Sequence, residues 1–225
     1  PQNQIFTLLP DNNQLLVPGD GLFVLKNNKV TSVRSSVSGD LTLSTIFISK
    51  KYPNILYGGG TFGIAIFSRS QGDGHLKEPG QWHFDGYLPG VTDQIWSFTE
   101  NKDGTIWAGT QSSLLYFITP VFSKNGSLDL QKTAFKKYGA EHGLKNGLGQ
   151  VYSIKGINYF IGDSTLFTFD DKAKRFIPDT TFGSFKNGGG NNEFDMAEDS
   201  MGRVWVRFGK ELRIATPMPE GGYRY

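Results

Sequence analysis

Residues 93–110 read Asp93-Gln94-Ile95-Trp96-Ser97-Phe98-Thr99-Glu100-Asn101-Lys102-Asp103-Gly104-Thr105-Ile106-Trp107-Ala108-Gly109-Thr110. Two runs rich in β-branched and aromatic residues flank Asp103-Gly104, and Asp-Gly readily takes the positive φ values of a tight turn. The stretch therefore predicts a β-hairpin. Leu114-Leu115-Tyr116-Phe117-Ile118 follows and adds a third antiparallel strand, and Thr133 to Tyr138 supplies a fourth.

The same pattern recurs along the chain. Near the C-terminus it reads Phe194 to Glu198, the turn Asp199-Ser200-Met201-Gly202, then Arg203 to Arg207 and Leu212 to Ala215. Val151 to Ile154, Ile157 to Gly162 and Thr165 to Phe169 repeat it around Lys155-Gly156. Ile46 to Ser49, Ile55 to Gly59 and Ile64 to Phe67 repeat it around Tyr52-Pro53-Asn54. A copy without its beginning runs from Gln14 to Leu25. The second-strand ends fall at Gly19, Gly59, Gly109, Gly162 and Arg207, spaced by 40, 50, 53 and 45 residues. Four-stranded propeller blades take about 40–50 residues. No window keeps a helical period, because Gly or Pro interrupts each one. The expected fold is all-β: a β-propeller of four-stranded antiparallel blades, about five of them, as a partial ring or fragment of a larger propeller. One propeller region is expected over 1–225, with blades near 1–40, 41–90, 91–140, 141–188 and 189–225 and the first and last incomplete.

Composition agrees with a turn-rich β protein. The 225 residues hold 29 Gly, 10 Pro and 14% aromatics. With 37% hydrophobic residues the chain can bury a core. Lys plus Arg number 23 against 21 Asp plus Glu, so bulk charge does not point to a nucleic-acid partner. The absence of Cys excludes a disulfide scaffold, a thiolate zinc site and a Cys nucleophile. No apolar run approaches the roughly 18–20 residues of a membrane-spanning helix. A chain opening at Pro1 reads as a piece of a longer protein.

From Glu100 to Thr110, and again from Ala197 to Val206, the chain resembles the two-component regulator propeller repeat. That repeat carries an acidic residue, polar residues, an Asp-x-x-Gly turn, then Trp and Gly-Thr. The second copy departs from it at Arg207-Phe208. Glu141-His142-Gly143-Leu144-Lys145-Asn146 is similar to the family's inter-blade linker. The resemblance implies the extracytoplasmic sensor region of bacterial hybrid histidine kinases and related regulators. It implies a periplasmic or extracellular location, tethering to the membrane in the full-length protein and self-association there. Family rings usually hold about seven blades, so five copies imply a partial ring.

Physically, Asp103 with Gly104, and Gly202, serve hairpin turns. Trp107 and Trp205 offer large apolar faces to a neighbouring blade, and Gly109 permits close backbone approach. These are read as a structural signature and not as a ligand site.

Catalytic constellations are thin. His75, His83 and His142 lie in loop-like stretches without metal-ligand spacing, and there is no Gly-x-Ser-x-Gly elbow. Glu193, Asp195 and Glu198 cluster, but Glu198 belongs to the turn signature. No catalytic residue, metal or cofactor is expected. The most suggestive segment is the insertion from Arg69 to Tyr87. Arg69, Trp82, His83 and Tyr87 supply the stacking faces and directional donors that a sugar ring needs, and Trp96, on an innermost strand two residues from Phe98, is a further ligand candidate placed to line the central channel. The competing reading has Trp82 and Phe84 packing inward with His83 exposed, and Trp96 packing too. The expected function is non-catalytic ligand recognition by a signalling receptor, with an oligosaccharide or other small ligand as partner. The alternatives are a propeller-fold polysaccharide lyase or hydrolase, or a protein-interaction scaffold.

Overall fold

The computed structural model describes residues 8–11, 13–33, 41–69, 81–124, 126–144, 149–162, 165–183, 194–208 and 211–225. It contains five four-stranded antiparallel sheets, each following chain order from first strand to fourth. The first holds β1 (Leu9–Asp11), β2 (Gln14–Gly19), β3 (Gly21–Lys26) and β4 (Lys29–Val33). The second holds β5 (Leu43–Ile48), β6 (Ile55–Gly60), β7 (Gly63–Arg69) and β8 (Trp82–Tyr87). The third holds β9 (Ile95–Glu100), β10 (Ile106–Thr110), β11 (Leu115–Thr119) and β12 (Ala134–Tyr138). The fourth holds β13 (Gln150–Ile154), β14 (Ile157–Gly162), β15 (Thr165–Asp170) and β16 (Arg175–Asp179). The fifth holds β17 (Phe194–Glu198), β18 (Val204–Phe208), β19 (Glu211–Pro217) and β20 (Tyr223–Arg224). Apart from one helical turn at Ala140–His142, the described elements are strands, and the fold is a β-propeller of five blades.

The chain divides into two compact units, Pro1–Gln111 with Tyr116–Lys136, and Ser112–Leu115 with Lys137–Tyr225. In the first unit, blade 2 shows how alternation builds the core. Successive side chains of a strand point to opposite faces. Tyr57 and Ile66 therefore enter one apolar cluster with Ile95 and Phe98 of blade 3. Leu56 and Phe67 enter another with Leu16 and Leu22 of blade 1. In the second unit, Ile154, Tyr159 and Ile161 of blade 4 pack against Phe194, Met196 and Val206 of blade 5.

Glycine sets the distance between blades 2 and 3. A Cβ on Gly59 would lie 2.7 Å from the Thr45 Cγ2 and 2.8 Å from the Ile95 Cγ2. The second-strand end thus has to be bare where the next blade's first strand crosses it.

The structure departs from the sequence reading at three places. The last blade is not incomplete, because the two-residue β20 gives it a fourth strand. The first copy is not missing its first strand: β1 is present but only three residues long, with Pro10 at its centre, so it shows no alternation to read. His83 lies within strand β8 rather than in a loop, and the insertion around His75 lies outside the described residues.

Candidate functional site

Of the expected ligand residues, the structure brings Arg69 and Trp82 together. They face each other in register at the ends of β7 and β8. The Arg69 guanidinium lies 4.7 Å from the Trp82 ring centroid, and both donate to Asp11 of blade 1. Arg69 Nη1 reaches Asp11 Oδ1 at 2.7 Å and Oδ2 at 2.9 Å. Trp82 Nε1 and Gln14 Nε2 reach Oδ2 at 3.0 and 2.8 Å. Arg69 Nη2 also donates to the Pro53 carbonyl at 2.7 Å, in the β5–β6 connection.

Trp82 is 2% exposed and the Asp11 and Arg69 side chains 6% and 14%. The cluster is a dry latch between blades 1 and 2. Burial by itself raises the Asp11 carboxyl, but hydrogen bonds from Gln14, Arg69 and Trp82 outweigh it and hold the group below its ordinary value. Sequence reasoning did not find Asp11, which lies 58 residues from Arg69 and 71 from Trp82.

His83 and Tyr87 share β8 with Trp82, and both are half-buried. His83 stands opposite Ser68, and the register shifts between Ile66 and Phe67 on the way to Tyr87, which stands opposite Ala65. Phe84 packs between Phe67 and Tyr87, with ring centroids at 5.4 and 5.5 Å. Trp96 is half-buried on β9, the first strand of the next blade, whereas β8 is the last strand of blade 2. Trp82, His83 and Tyr87 thus share one strand, and Trp96 belongs to another sheet.

The signature residues build a repeated turn. In blade 3 the Gly104 N–H donates to the Asn101 carbonyl and the Asn101 N–H to the Thr105 carbonyl, each at 2.9 Å. In blade 5 Gly202 donates to Asp199 at 2.9 Å and Asp199 to Arg203 at 3.0 Å. Gly104 has φ 86° and Gly202 φ 72°. Both are type I turns closed by a left-handed glycine, a three-residue hairpin loop that favours Gly at its last position.

Asp103 and Asp199 fill different slots of this shared turn. Asp103 Oδ1 accepts the Thr105 N–H at 3.0 Å and its hydroxyl at 2.6 Å. Asp199 opens its turn, in the slot that Asn101 fills in blade 3, and accepts Trp205 Nε1 at 2.9 Å and Arg203 Nε at 2.7 Å. The Trp205 bond, followed by those from Arg203, pulls the Asp199 carboxyl down to about 2 against the opposing effect of burial. Trp107 instead buries its ring against Phe117 of its own sheet, centroids 4.7 Å apart. Gly109 pairs with Ser97 just before a register shift.

A glutamate at the end of each of these first strands reaches the preceding blade. Glu100 Oε2 accepts the Lys50 and Lys51 amides at 2.6 and 3.3 Å, and Oε1 accepts the Ser49 hydroxyl at 2.5 Å. Glu198 Oε2 accepts the Lys155 amide at 3.0 Å. Glu198, considered above as a catalytic carboxylate, is thereby engaged in the repeat's own contact. Glu193 lies outside the described residues, and Asp195 stands opposite Arg207 in the β17–β18 ladder. Among the described residues, no group of three or more His, Cys, Asp or Glu could hold a metal ion. No helix among them is long and apolar enough to cross a membrane.

No protein-family model matches the chain, and a search of curated proteins finds no match. Solved structures do match it in fold. The extracellular domain of a one-component system from B. thetaiotaomicron is 17% identical with a TM-score of 0.61; the match covers 99% of this chain and 27% of that one. Virginiamycin B lyase from Staphylococcus aureus is 10% identical with a TM-score of 0.60, covering 99% of this chain and 69% of the lyase. The WD40 β-propeller domain of Doa1 is 11% identical with a TM-score of 0.58, covering 95% and 64%. This chain therefore spans about a quarter of that extracellular domain. An extracellular domain of a one-component system, an enzyme and a WD40 domain share its fold, so the likeness identifies the chain as a β-propeller and leaves its activity to its own residues.

Proposed function

We propose that the chain is a non-catalytic recognition propeller from the extracytoplasmic sensor region of a bacterial two-component receptor, and that it binds an oligosaccharide. The observation that carries this reading is the repeated turn. Glu100 to Trp107 and Glu198 to Trp205 resemble the two-component regulator repeat, and both fold into the same glycine-closed hairpin. In the full-length protein the propeller is periplasmic or extracellular, tethered to the membrane, self-associating and coupled to a histidine kinase.

His83 and Tyr87 on β8 are the proposed sugar-reading side chains, and Trp96, on the first strand of the next blade, is proposed as a separate stacking face. Arg69 and Trp82, engaged with Asp11, hold the start of β8 in place and so preorganise its side chains. A thermal-shift series with neutral oligosaccharides tests the reading. A ligand present at a hundredfold excess over its Kd stabilises the fold by about 2.7 kcal/mol. Tyr87→Ala should abolish a shift seen with the parent chain. A panel that moves no melting temperature contradicts the reading and favours an interaction scaffold.

A further inference from the structure

We propose that one end of the first unit is a docking face for a linear acidic polysaccharide carrying sulfate or carboxylate groups. The proposal is independent of the β8 site above. It starts from topology. In a four-stranded meander the first-to-second and third-to-fourth connections emerge at one end, and the second-to-third connection at the other.

Contacts between blades show that these ends coincide across the unit. The β5–β6 connection meets the β9–β10 turn, since Glu100 accepts the Lys50 and Lys51 amides and Lys51 Nζ donates to the Asp103 carbonyl at 2.5 Å. It also meets the β11–β12 segment, where the Tyr52 and Phe122 rings lie 4.0 Å apart. Arg69, at the end of β7, joins Pro53 of the β5–β6 connection to Asp11 at the end of β1.

The charges segregate along this axis. Lys26, Lys29, Lys50, Lys51, Lys102 and Lys124 all stand exposed at this end. Among the described residues its carboxylates are Asp11, Glu100, Asp103 and Asp129, fewer than its cations. Asp11 is held by Arg69, Glu100 by backbone amides, Asp103 by Thr105 and Asp129 by Lys132. At the opposite end the connections carry Asp20 and Asp93, and no Lys or Arg among the described residues. Among the described residues the cations at this end outnumber the carboxylates, which leaves a net positive face.

The tips of that face select the class of polyanion. Asn13, Asn27, Asn28 and Asn54 sit among the lysines, and a side-chain amide can both donate to and accept from sugar hydroxyls. Membrane insertion needs apolar side chains on the docking face, and single-stranded nucleic acid needs stacking aromatics. The exposed large apolar side chains beside these connections are Leu25 and Val30, one aliphatic pair on the β3–β4 hairpin and neither of them aromatic.

Calorimetric titration of the whole chain with a heparin dodecasaccharide at low salt tests the proposal. Binding is expected, and it should weaken at least tenfold between about 0.05 and 0.5 M NaCl as screening grows. The combined variant Lys26→Glu, Lys29→Glu, Lys50→Glu and Lys102→Glu should bind at least tenfold more weakly. Its melting temperature should stay at the parent value, because all four side chains are solvent-facing. Thr92→Glu, at the opposite end, should leave affinity within about twofold of the parent. No measurable binding, an unchanged affinity in the quadruple variant, or equal affinity for a 12-base-pair DNA duplex would each overturn the proposal.

Discussion

Asp11 carries more of the structure than any residue the sequence draws attention to. Three side chains donate to its carboxylate from blades 1 and 2, in surroundings that admit little water. Breaking a buried ion pair from one side leaves an uncompensated charge. Asp11→Asn should therefore destabilise the chain by about 3 kcal/mol in urea denaturation, with a fall in midpoint and an unchanged m-value.

The lowered carboxyls also fix a pH dependence. Asp11, Asp103 and Asp199 hold their protons less tightly folded than unfolded. Their contribution is present above the ordinary Asp value of 3.8 and is lost as pH falls from there towards about 2. Melting temperature should be flat from pH 7 to 5 and drop below pH 4. In Asp199→Asn that drop should be shallower. None of this is readable from sequence, since Arg69 and Asp11 meet only after blades 1 and 2 have packed. The Arg69 and Trp82 that read as ligand donors turn out to be held by that same carboxylate.

At the scale of the element, legibility is high where the signal is local. The Gly104 and Gly202 turns, the strands flanking them and the strand from Ala134 are all readable, because positive φ and apolar alternation are encoded within a few residues. Short or irregular strands are not. β1 has three residues and a proline, and β8 carries a register shift that breaks its alternation. The Glu100 latch is hidden for another reason: its partners are backbone amides, which no side-chain pattern announces.

Gly104 shows why the turn demands glycine twice over. Its φ is 86°, and an added Cβ would lie 2.7 Å from the Lys51 Cδ and 2.9 Å from the Tyr52 ring of the preceding blade. Gly104→Ala should cost about 2 kcal/mol, combining left-handed strain with displacement of Lys51 and Tyr52. Gly202 has the same conformation, but its nearest neighbour would be 3.8 Å away. Gly202→Ala should therefore cost about 1 kcal/mol, from strain alone. Chemical denaturation of the two variants side by side separates conformation from contact.

At the scale of the whole molecule, five copies of one sheet appear with very different amounts of sequence likeness. Only blades 3 and 5 carry the full acidic-turn-Trp pattern, and in both it serves the hairpin and the contact to the preceding blade. The recognisable residues therefore explain the fold, while the residues proposed for recognition lie between and beyond them: on β8, at the start of β9 and in the lysine-bearing connections. A scaffold whose repeats are occupied by their own packing can vary those positions without disturbing its seams.

The central claim is recognition without chemistry. It is tested most directly by holding a stabilising oligosaccharide with the chain at equimolar concentration and reading the sugar by mass spectrometry. Saturable one-to-one binding is predicted, with the sugar recovered at its original mass and the binding lost in Tyr87→Ala. Shortened or unsaturated sugar products, formed in proportion to chain concentration, would contradict the claim and make this propeller an enzyme.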